Sequence, residues 1–576
     1  MEKYEKEHIE SLRKHLAGCT VLLKRNTDFP LDSACDVALY GSGARHTIKG
    51  GTGSGEVNSR YFKTVEEGLK DGGFNITTEN WLSEYDKVLA MARVDFVEEI
   101  KRRAKEKGTL AVNEGMGAVM PEPEYEIELD GEGDTAVYVL SRISGEGNDR
   151  VDAPGDIYLS ETEKRDILLC AKKYKKFMLV LNVGGPVDLS PVINEIKNVL
   201  ILSQLGVETG SALSDILLGI ETPSGKLATT WTKFPDYPRI GDFGDPDETY
   251  YREGIYVGYR YFKTAGVKPD FPFGFGLSYT TFDVDFKNAE ISGETVSLRA
   301  NVKNTGVFKG REIVQVYVEK PSGALDNPAA ELVSFKKTKE LLPGESEEIS
   351  LSFRLSDIPS YNENRAAYML FEGDYVLSLG TSSEDNTVVA VINLSEDVVL
   401  RKCENVLGDP GFKDEVVKGA SDPVIPDSAV RFSVDPSVFE IFTASYDDNS
   451  PIDPDIKALS DEDLATLSVG MYGEEAGVVE TAIGEAGFSI AGTAGETTDR
   501  VSGIKVPTLP MADGPAGLRL ARHYFKKEDG AVKSLDPPLL ETLLDFVPDE
   551  YKESMKAPEV PEGVEVVEQY TTAIPI

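Results

Sequence analysis

Six short apolar runs, several of them parted by stretches of helical periodicity, constrain the first half of this 576-residue chain more than any other feature. They are CTVLLK (19–24), CDVALYG (35–41), KVLAMAR (87–93), TAVYVLSRI (135–143), FMLVLNVG (177–184) and NVLILSQL (198–205). Unbroken apolar runs of this length suit strands buried on both faces, since neither face offers polar groups to water. Between them, FVEEIKRRAKEKG (96–108) and LSETEKRDILLCAKKY (159–174) set apolar residues at helical spacing and charges elsewhere. Alternating strands and helices over residues 1–280 therefore predict an α/β sandwich, a mostly parallel sheet with helices on both faces. Ligands of such sheets meet the loops at the carboxyl ends of the strands.

The pattern changes near residue 281. TVSLRANVKNTG, REIVQVYVEK, ESEEISLSFRL and GDYVLSLGTSS alternate apolar and polar positions and are separated by Gly, Pro and Asn turns. An all-β antiparallel sandwich is expected over 281–395. Residues 396–454 are rich in Pro, Asp and Ser (SDPVIPDSAVRFSVDPS) and read as a linker with little regular structure. At 455–576, ALSDEDLATLSVGMYG predicts a helix with Ser460 as N-cap and Asp463 at the capping-box position, followed by an acidic, Pro-rich tail. At about 150 residues per domain, a chain of this length holds several domains.

Charge and cysteine usage exclude some classes. Ninety-nine acidic residues against 60 basic ones leave a net charge of -39, which repels phosphate backbones and argues against a nucleic-acid partner. Cys19, Cys35, Cys170 and Cys403 form no C-x-x-C pair and fit a reducing compartment, not a disulfide frame. The four histidines show no metal-ligand spacing, and neither a signal peptide nor an 18-residue apolar span is recognisable. A cytoplasmic, multidomain protein without a membrane partner is the expectation.

Three segments carry chemistry. Directly after TAVYVLSRI, Ser144-Gly145-Glu146-Gly147-Asn148-Asp149-Arg150 places a carboxylic acid on a glycine-flanked loop at a strand end. Glycines let such a backbone turn sharply and approach a ligand, and glycoside hydrolysis needs two carboxyl groups at one bond. Glu146 fits the acid member of that pair, although on spacing alone a solvated loop acid is the commoner outcome. Asp149 and Arg150 suit a local ion pair that shapes the loop. The second segment, Gly41-Ser42-Gly43-Ala44-Arg45 with Gly50 to Gly55 beyond it, invites a dinucleotide-binding reading, but His46 stands where a third glycine belongs. A flexible, cleft-lining loop is the better expectation. In the third, Met511-Ala512-Asp513-Gly514-Pro515-Ala516-Gly517-Leu518-Arg519, a carboxylate and a guanidinium sit on a Gly/Pro-stiffened turn and suit paired hydrogen bonds to sugar hydroxyls. An Asp-Gly-Pro turn closed by its own side chain is an equal alternative.

Asp513 to Arg519 resembles the D-G-P-x-G-x-R signature near the start of the catalytic barrel of glycoside hydrolase family 3, of the β-glucosidase type. Pro223-Ser224-Gly225-Lys226-Leu227-Ala228-Thr229-Thr230 is similar to the P-S-G-K-L-P-x-T segment of that family's α/β sandwich domain, with Ala228 in place of Pro. Glu253 to Tyr261 (EGIYVGYRY) and Phe271 to Thr280 (FPFGFGLSYT) resemble the closing signatures of the same domain. Residues 281–395, with Asn304-Thr305-Gly306 and Val314 to Val318, are similar to its fibronectin type III-like domain. The resemblance implies a permuted order, with the sandwich first and a barrel-entry segment last. It assigns acid/base catalysis to Glu146 and sugar binding to Asp513, with Arg519 in the same signature. No metal or organic cofactor is implied.

One departure is large. The family's nucleophile is an Asp in an S-D-W-type motif, and here Trp81 and Trp231, both in the sandwich region, are the two tryptophans. A barrel takes about 250 residues, whereas about 65 follow Leu509. The expectation is a chain truncated before the barrel, with no nucleophile of its own and no turnover alone. The implied substrates are small β-glucosides or oligosaccharides, with a separate barrel polypeptide or a homo-oligomer as the partner. A β-xylosidase or arabinofuranosidase is the nearest alternative, and a non-catalytic carbohydrate-binding or assembly fragment the next.

Overall fold

The structure is a computed structural model of the whole chain. It describes all residues except 144–149, 239–246, 322–324, 446–449, 472–487, 499–500, 502–506, 537–540, 549–551, 553–557 and 576.

The apolar runs become a six-stranded sheet. Its strands are β1 (Val21–Lys24), β2 (Asp36–Tyr40), β3 (Asn75–Ile76), β4 (Thr135–Arg142), β5 (Lys176–Val183) and β6 (Val199–Ile201), in the order β1-β6-β5-β4-β2-β3. β2 to β6 run parallel and β1 lies antiparallel on the β6 edge. β4 and β5 pair through eight residues each and are buried almost throughout, which is what two covered faces require. Helices α1 (Lys3–Arg13), α2 (Val65–Asp71), α3 (Glu79–Lys107), α4 (Ala111–Gly115), α5 (Glu161–Lys173), α6 (Thr209–Leu217) and α7 (Tyr259–Ala265) accompany the sheet.

One apolar run is not a strand. KVLAMAR lies inside α3, where Trp81, Leu82, Tyr85, Val88 and Leu89 recur every three or four residues and pack on the core while Met91 is exposed. A stripe at helical spacing beats local apolarity once the run is seen with its upstream neighbours. The helix stops at Gly108, whose φ of +67° forms a left-handed cap.

Residues 282–443 form the β-sandwich and a small sheet beside it. Its strands are β7 (Phe282–Ser292), β8 (Thr295–Asn304), β9 (Ile313–Glu319), β10 (Glu331–Lys337), β11 (Ser346–Arg354), β12 (Ser360–Asn362), β13 (Ala367–Leu370), β14 (Gly373–Gly380), β15 (Asn386–Leu394), β16 (Val398–Lys402), β17 (Val430–Val434) and β18 (Phe442–Thr443). One sheet is β11-β8-β7 and the facing one β10-β9-β14-β15-β17, with a small sheet β12-β13-β16-β18 beside them. Val296, Leu298, Ala300 and Val302 alternate into the core from β8, as a half-buried strand demands. The expected linker at 396–454 is corrected in part. It supplies β16, β17 and β18, and β17 pairs parallel with β15 and sinks Val434 into the core. Its Pro- and Asp-rich surroundings hide a five-residue alternation that acquires partners only at the sheet edge.

The two modules are joined by buried polar contacts. Gln315 donates through Nε2 to the carbonyls of Gly274 (3.1 Å) and Thr381 (2.7 Å), and Lys226 pairs with Glu312 at 2.7 Å. Past the sandwich come α8 (Pro454–Lys457), α9 (Asp461–Val469) and α10 (Glu541–Leu544). Ser460 caps α9, accepting from the Asp463 amide at 3.1 Å as its sequence predicts. β19 (Gly495–Glu496) pairs with β20 (Pro510–Met511). β21 (His523–Lys526) takes β22 (Val532–Ser534) and β23 (Val566–Glu568) on its two sides. No helix of the described residues is long and apolar enough to cross a membrane.

Candidate functional site

Because β2, β4, β5 and β6 are parallel, the loops that leave them all open at one edge of the sheet. The chain leaves β2 through Gly41, whose φ is +90° and whose Cβ, if present, would lie 2.4 Å from the Val139 carbonyl. Only glycine fits there. Ser42 Oγ accepts the Ser141 amide at 3.0 Å, tying this loop to β4. At the end of β5, the fully buried Asn182 accepts the Ile48 amide (2.6 Å) and donates to the carbonyls of Ile48 (2.9 Å) and Ser203 (2.7 Å). One amide side chain therefore binds the loop after β2 to the loop after β6. Arg45 adds ion pairs to Glu66 (2.6 Å), Glu79 (2.8 Å) and Asp86 (2.9 Å). The first half of the expected flexible loop is thus pinned by side chains beyond the motif. α2 begins only at Val65, capped by Thr64, so no helix N-terminus follows the glycines to hold a pyrophosphate.

The Asp513 turn docks onto these loops. The Asp513 carbonyl accepts the Arg519 amide at 2.9 Å, which closes the turn through the backbone. Gly517 adopts a φ of +113°. Ala516 is fully buried with Val57, Val207 and Ala573, and its carbonyl accepts the Ile574 amide at 2.9 Å. Gly206 allows the closest approach: a Cβ there would lie 2.1 Å from the Ala573 carbonyl. Asn58 Nδ2 donates to the Leu520 carbonyl at 2.7 Å. Asp513 and Arg519 are left half-buried, over the loops that follow β2 and β6.

Glu146 and Asp149 lie outside the described residues. The residues flanking them are described and strongly bonded. Arg142, the last residue of β4, is buried and makes a two-pronged bond to Glu163, at 2.8 and 2.7 Å, while its Nε donates to the Asp156 carbonyl at 3.0 Å. Arg150 donates through Nε to the carboxylate of Asp156, whose other oxygen accepts the Val151 amide at 2.5 Å. Among the described residues the carboxylate partner of Arg150 is Asp156, while the expected pairing of Arg150 with Asp149 lies outside them. A carboxylate 1% exposed needs a charged partner, and Arg150 supplies one. Behind this pair, Tyr85 Oη donates to Glu122 at 2.8 Å, and burial followed by the Glu163 charge pushes the Glu122 carboxyl up to about 8. Arg142, Asp156 and Asn182 escaped the sequence reading. The signal for Asn182 was a single polar residue inside the otherwise apolar run FMLVLNVG, and for Arg142 a charge at the end of the apolar run TAVYVLSRI. Among the described residues no group of His, Cys, Asp and Glu is arranged to hold a metal ion.

Comparison with known proteins agrees with this layout. Residues 20–279 match the glycosyl hydrolase family 3 C-terminal domain and residues 312–383 the fibronectin type III-like domain. Beta-glucosidase A of Butyrivibrio fibrisolvens is 33% identical over 460 residues, 70% of this chain and 54% of that protein. Thermostable beta-glucosidase B of Acetivibrio thermocellus is 29% identical over 489 residues, 82% of this chain and 59% of that one. The structure of beta-glucosidase 3B from Thermotoga neapolitana in complex with glycerol superposes with a TM-score of 0.59 at 34% identity, covering 68% of this chain and 55% of that chain. A beta-glucosidase from Paenibacillus barengoltzii gives 0.61 at 30% identity, covering 70% and 45%. The chain spans about half the length of the curated relatives it matches. An α/β sheet with its loops at one edge, a fibronectin type III-like module braced against it and these matches together show a glycosyl hydrolase family 3 C-terminal domain followed by a fibronectin type III-like domain.

Proposed function

We propose that this chain serves a β-glucosidase that removes terminal non-reducing β-D-glucosyl residues with retention, contributing Glu146 as acid/base and Asp513, with Arg519, as sugar-binding groups. The supporting observation is spatial: the Asp513 turn is seated on the loops after β2 and β6, at the sheet edge where β4 runs into the Glu146 segment. In this reading Glu146 protonates the departing glycosidic oxygen and then, as a carboxylate, takes the proton of the attacking water. Asp513 accepts hydrogen bonds from sugar hydroxyls and orients the ring. The nucleophilic Asp belongs to a barrel module, since no S-D-W motif occurs in the 576 residues. The reading places the protein in the cytoplasm, supported by four cysteines that are all free.

The 576-residue chain is expected to leave an aryl β-glucoside intact, and hydrolysis at rates ordinary for glucosidases would refute this. Joined to a barrel module, Glu146→Gln should lose about 100-fold in turnover on an alkyl glucoside and far less on a dinitrophenyl glucoside. Equal losses on both would remove the acid role. The absence of an S-D-W motif also supports a second reading, a carbohydrate-binding or assembly component that complements a separate barrel polypeptide. Turnover that appears only on mixing with such a polypeptide distinguishes it. A panel of aryl glucosides, xylosides and arabinofuranosides decides the sugar.

A further inference from the structure

We propose that one face of the small sheet β12-β13-β16-β18 is a platform for an extended β-glucan chain, formed by Tyr361, Tyr368, Arg401 and Phe442. The choice of glucose units rests on the β-glucosidase reading, whereas the face itself stands apart from the Glu146 and Asp513 assignments.

Strand register builds the row. Tyr361 pairs with Tyr368 across β12 and β13, Tyr368 with Arg401 across β13 and β16, and Arg401 with Phe442 across β16 and β18. Paired residues project from the same face of a sheet, so these side chains form one line across all of its strands. At about 4.8 Å between strands the line is about 14 Å long, room for about three linked pyranose rings. On the other face of β13, Ala367 and Met369 are buried with Phe371. The row is left to solvent, with Tyr368 39% and Phe442 59% exposed. Single exposed rings need no explanation, but a line of them marks an interaction surface.

The chemistry of the row selects the occupant. Tyr361 and Tyr368 have ring centroids 4.8 Å apart at 55°, and the Arg401 guanidinium lies 5.4 Å from the Phe442 ring centroid. Aromatic faces are negative, and the C–H bonds on the flat face of a β-linked pyranose present weakly positive hydrogens to them. Beside the rings stand polar groups suited to the hydroxyls at a pyranose rim. These are Arg401 and Asn405, whose Oδ1 accepts the Tyr361 hydroxyl and whose Nδ2 donates to the Glu363 carbonyl at 2.7 Å. A net charge of -39 disfavours a nucleic acid or an anionic lipid surface. A neutral polymer with apolar faces and a polar rim, which a β-glucan is, meets all of these conditions.

Calorimetric titration of cellohexaose into the 576-residue chain should show binding that Tyr368→Ala or Phe442→Ala weakens about fivefold each and the two together about 25-fold. Tyr368→Phe, which keeps the ring, should bind as the wild type does. No binding of cellohexaose, or equal binding by the wild type and the double alanine variant, overturns the platform. Binding lost in Asp513→Ala but kept in the double variant would move the glucan to the Asp513 turn, and also overturns it. A dimeric chain that the double variant renders monomeric would show the row to be a contact between copies, overturning it likewise. Xylohexaose bound in place of cellohexaose overturns the choice of glucan. Turnover of an aryl β-glucoside by the barrel-joined enzyme is read separately, so its failure counts against the β-glucosidase reading and not against the platform.

Discussion

Glu163 illustrates how one side chain serves two levels of structure at once. Its Oε2 accepts the Ser160 amide at 2.8 Å, closing the capping box of α5, and also the Nη2 of Arg142 at 2.7 Å. A capping carboxylate in an exposed helix contributes about 1 kcal/mol. Here it also neutralises a buried arginine, so removing it would leave a charge that costs several times as much. Glu122 beside it has the opposite problem, a buried carboxyl for which no salt bridge is found among the described residues. Burial raises it from the usual 4.5 to about 8, with the Glu163 charge adding to the shift and Arg142 opposing it. Between those values the folded chain keeps a proton that the unfolded chain has released. This contribution to stability is whole below pH 4.5 and is lost as pH rises through 8. In urea titrations from about pH 5 to 9, the wild type should therefore lose stability relative to Glu122→Gln as pH rises. Parallel curves would show that Glu122 does not hold the proton.

Close backbone approach, more than side-chain packing, attaches the Asp513 segment to the sheet. Gly206 has a φ of +72°, donates its amide to the Lys49 carbonyl at 2.9 Å and faces the Ala573 carbonyl. Any Cβ would both strain that φ and strike the carbonyl, so Gly206→Ala should cost about 1–3 kcal/mol locally. The expected signature is faster amide exchange in 513–520 and 569–575, with the protection of β4 and β5 retained. Retained protection in both segments would mean that Gly206 is not what admits them. The interactions of α3 make a related point about elements. Trp81 stacks on Tyr85 with ring centroids 5.3 Å apart, and both meet Tyr125 edge-on. The stripe that buries them decides helix over strand for KVLAMAR.

Across the whole molecule, the α/β sheet and the β-sandwich meet through a few buried polar groups. Gln315 is 3% exposed, bridges Gly274 to Thr381, and accepts the Tyr317 hydroxyl at 2.5 Å. The Gly274 φ of +80° and its contact with Gln315 show how tightly the two surfaces fit. With Lys226–Glu312 and the Lys337 bond to the Gly18 carbonyl at 3.0 Å, they are expected to unfold as one cooperative unit. Gln315→Ala leaves two carbonyls and a hydroxyl without their partner at about 1 kcal/mol each. Calorimetry should then show two transitions where the wild type shows one. A single transition at a lower temperature would place the coupling elsewhere in the interface.

The parallel sheet was legible in the sequence because TAVYVLSRI and FMLVLNVG suit burial between two covered faces, and the β-sandwich because its strands alternate. The sequence also showed the Asp-Gly-Pro turn, whose turn chemistry is local. That KVLAMAR is helical follows from the stripe it continues from its upstream neighbours. Folding in three dimensions settled that VRFSV is a strand and that Asp156 and Asn182 organise the loops. An edge ladder, a buried charge and an amide bridge each depend on which group packs against them, and local pattern carries no information about which partner arrives.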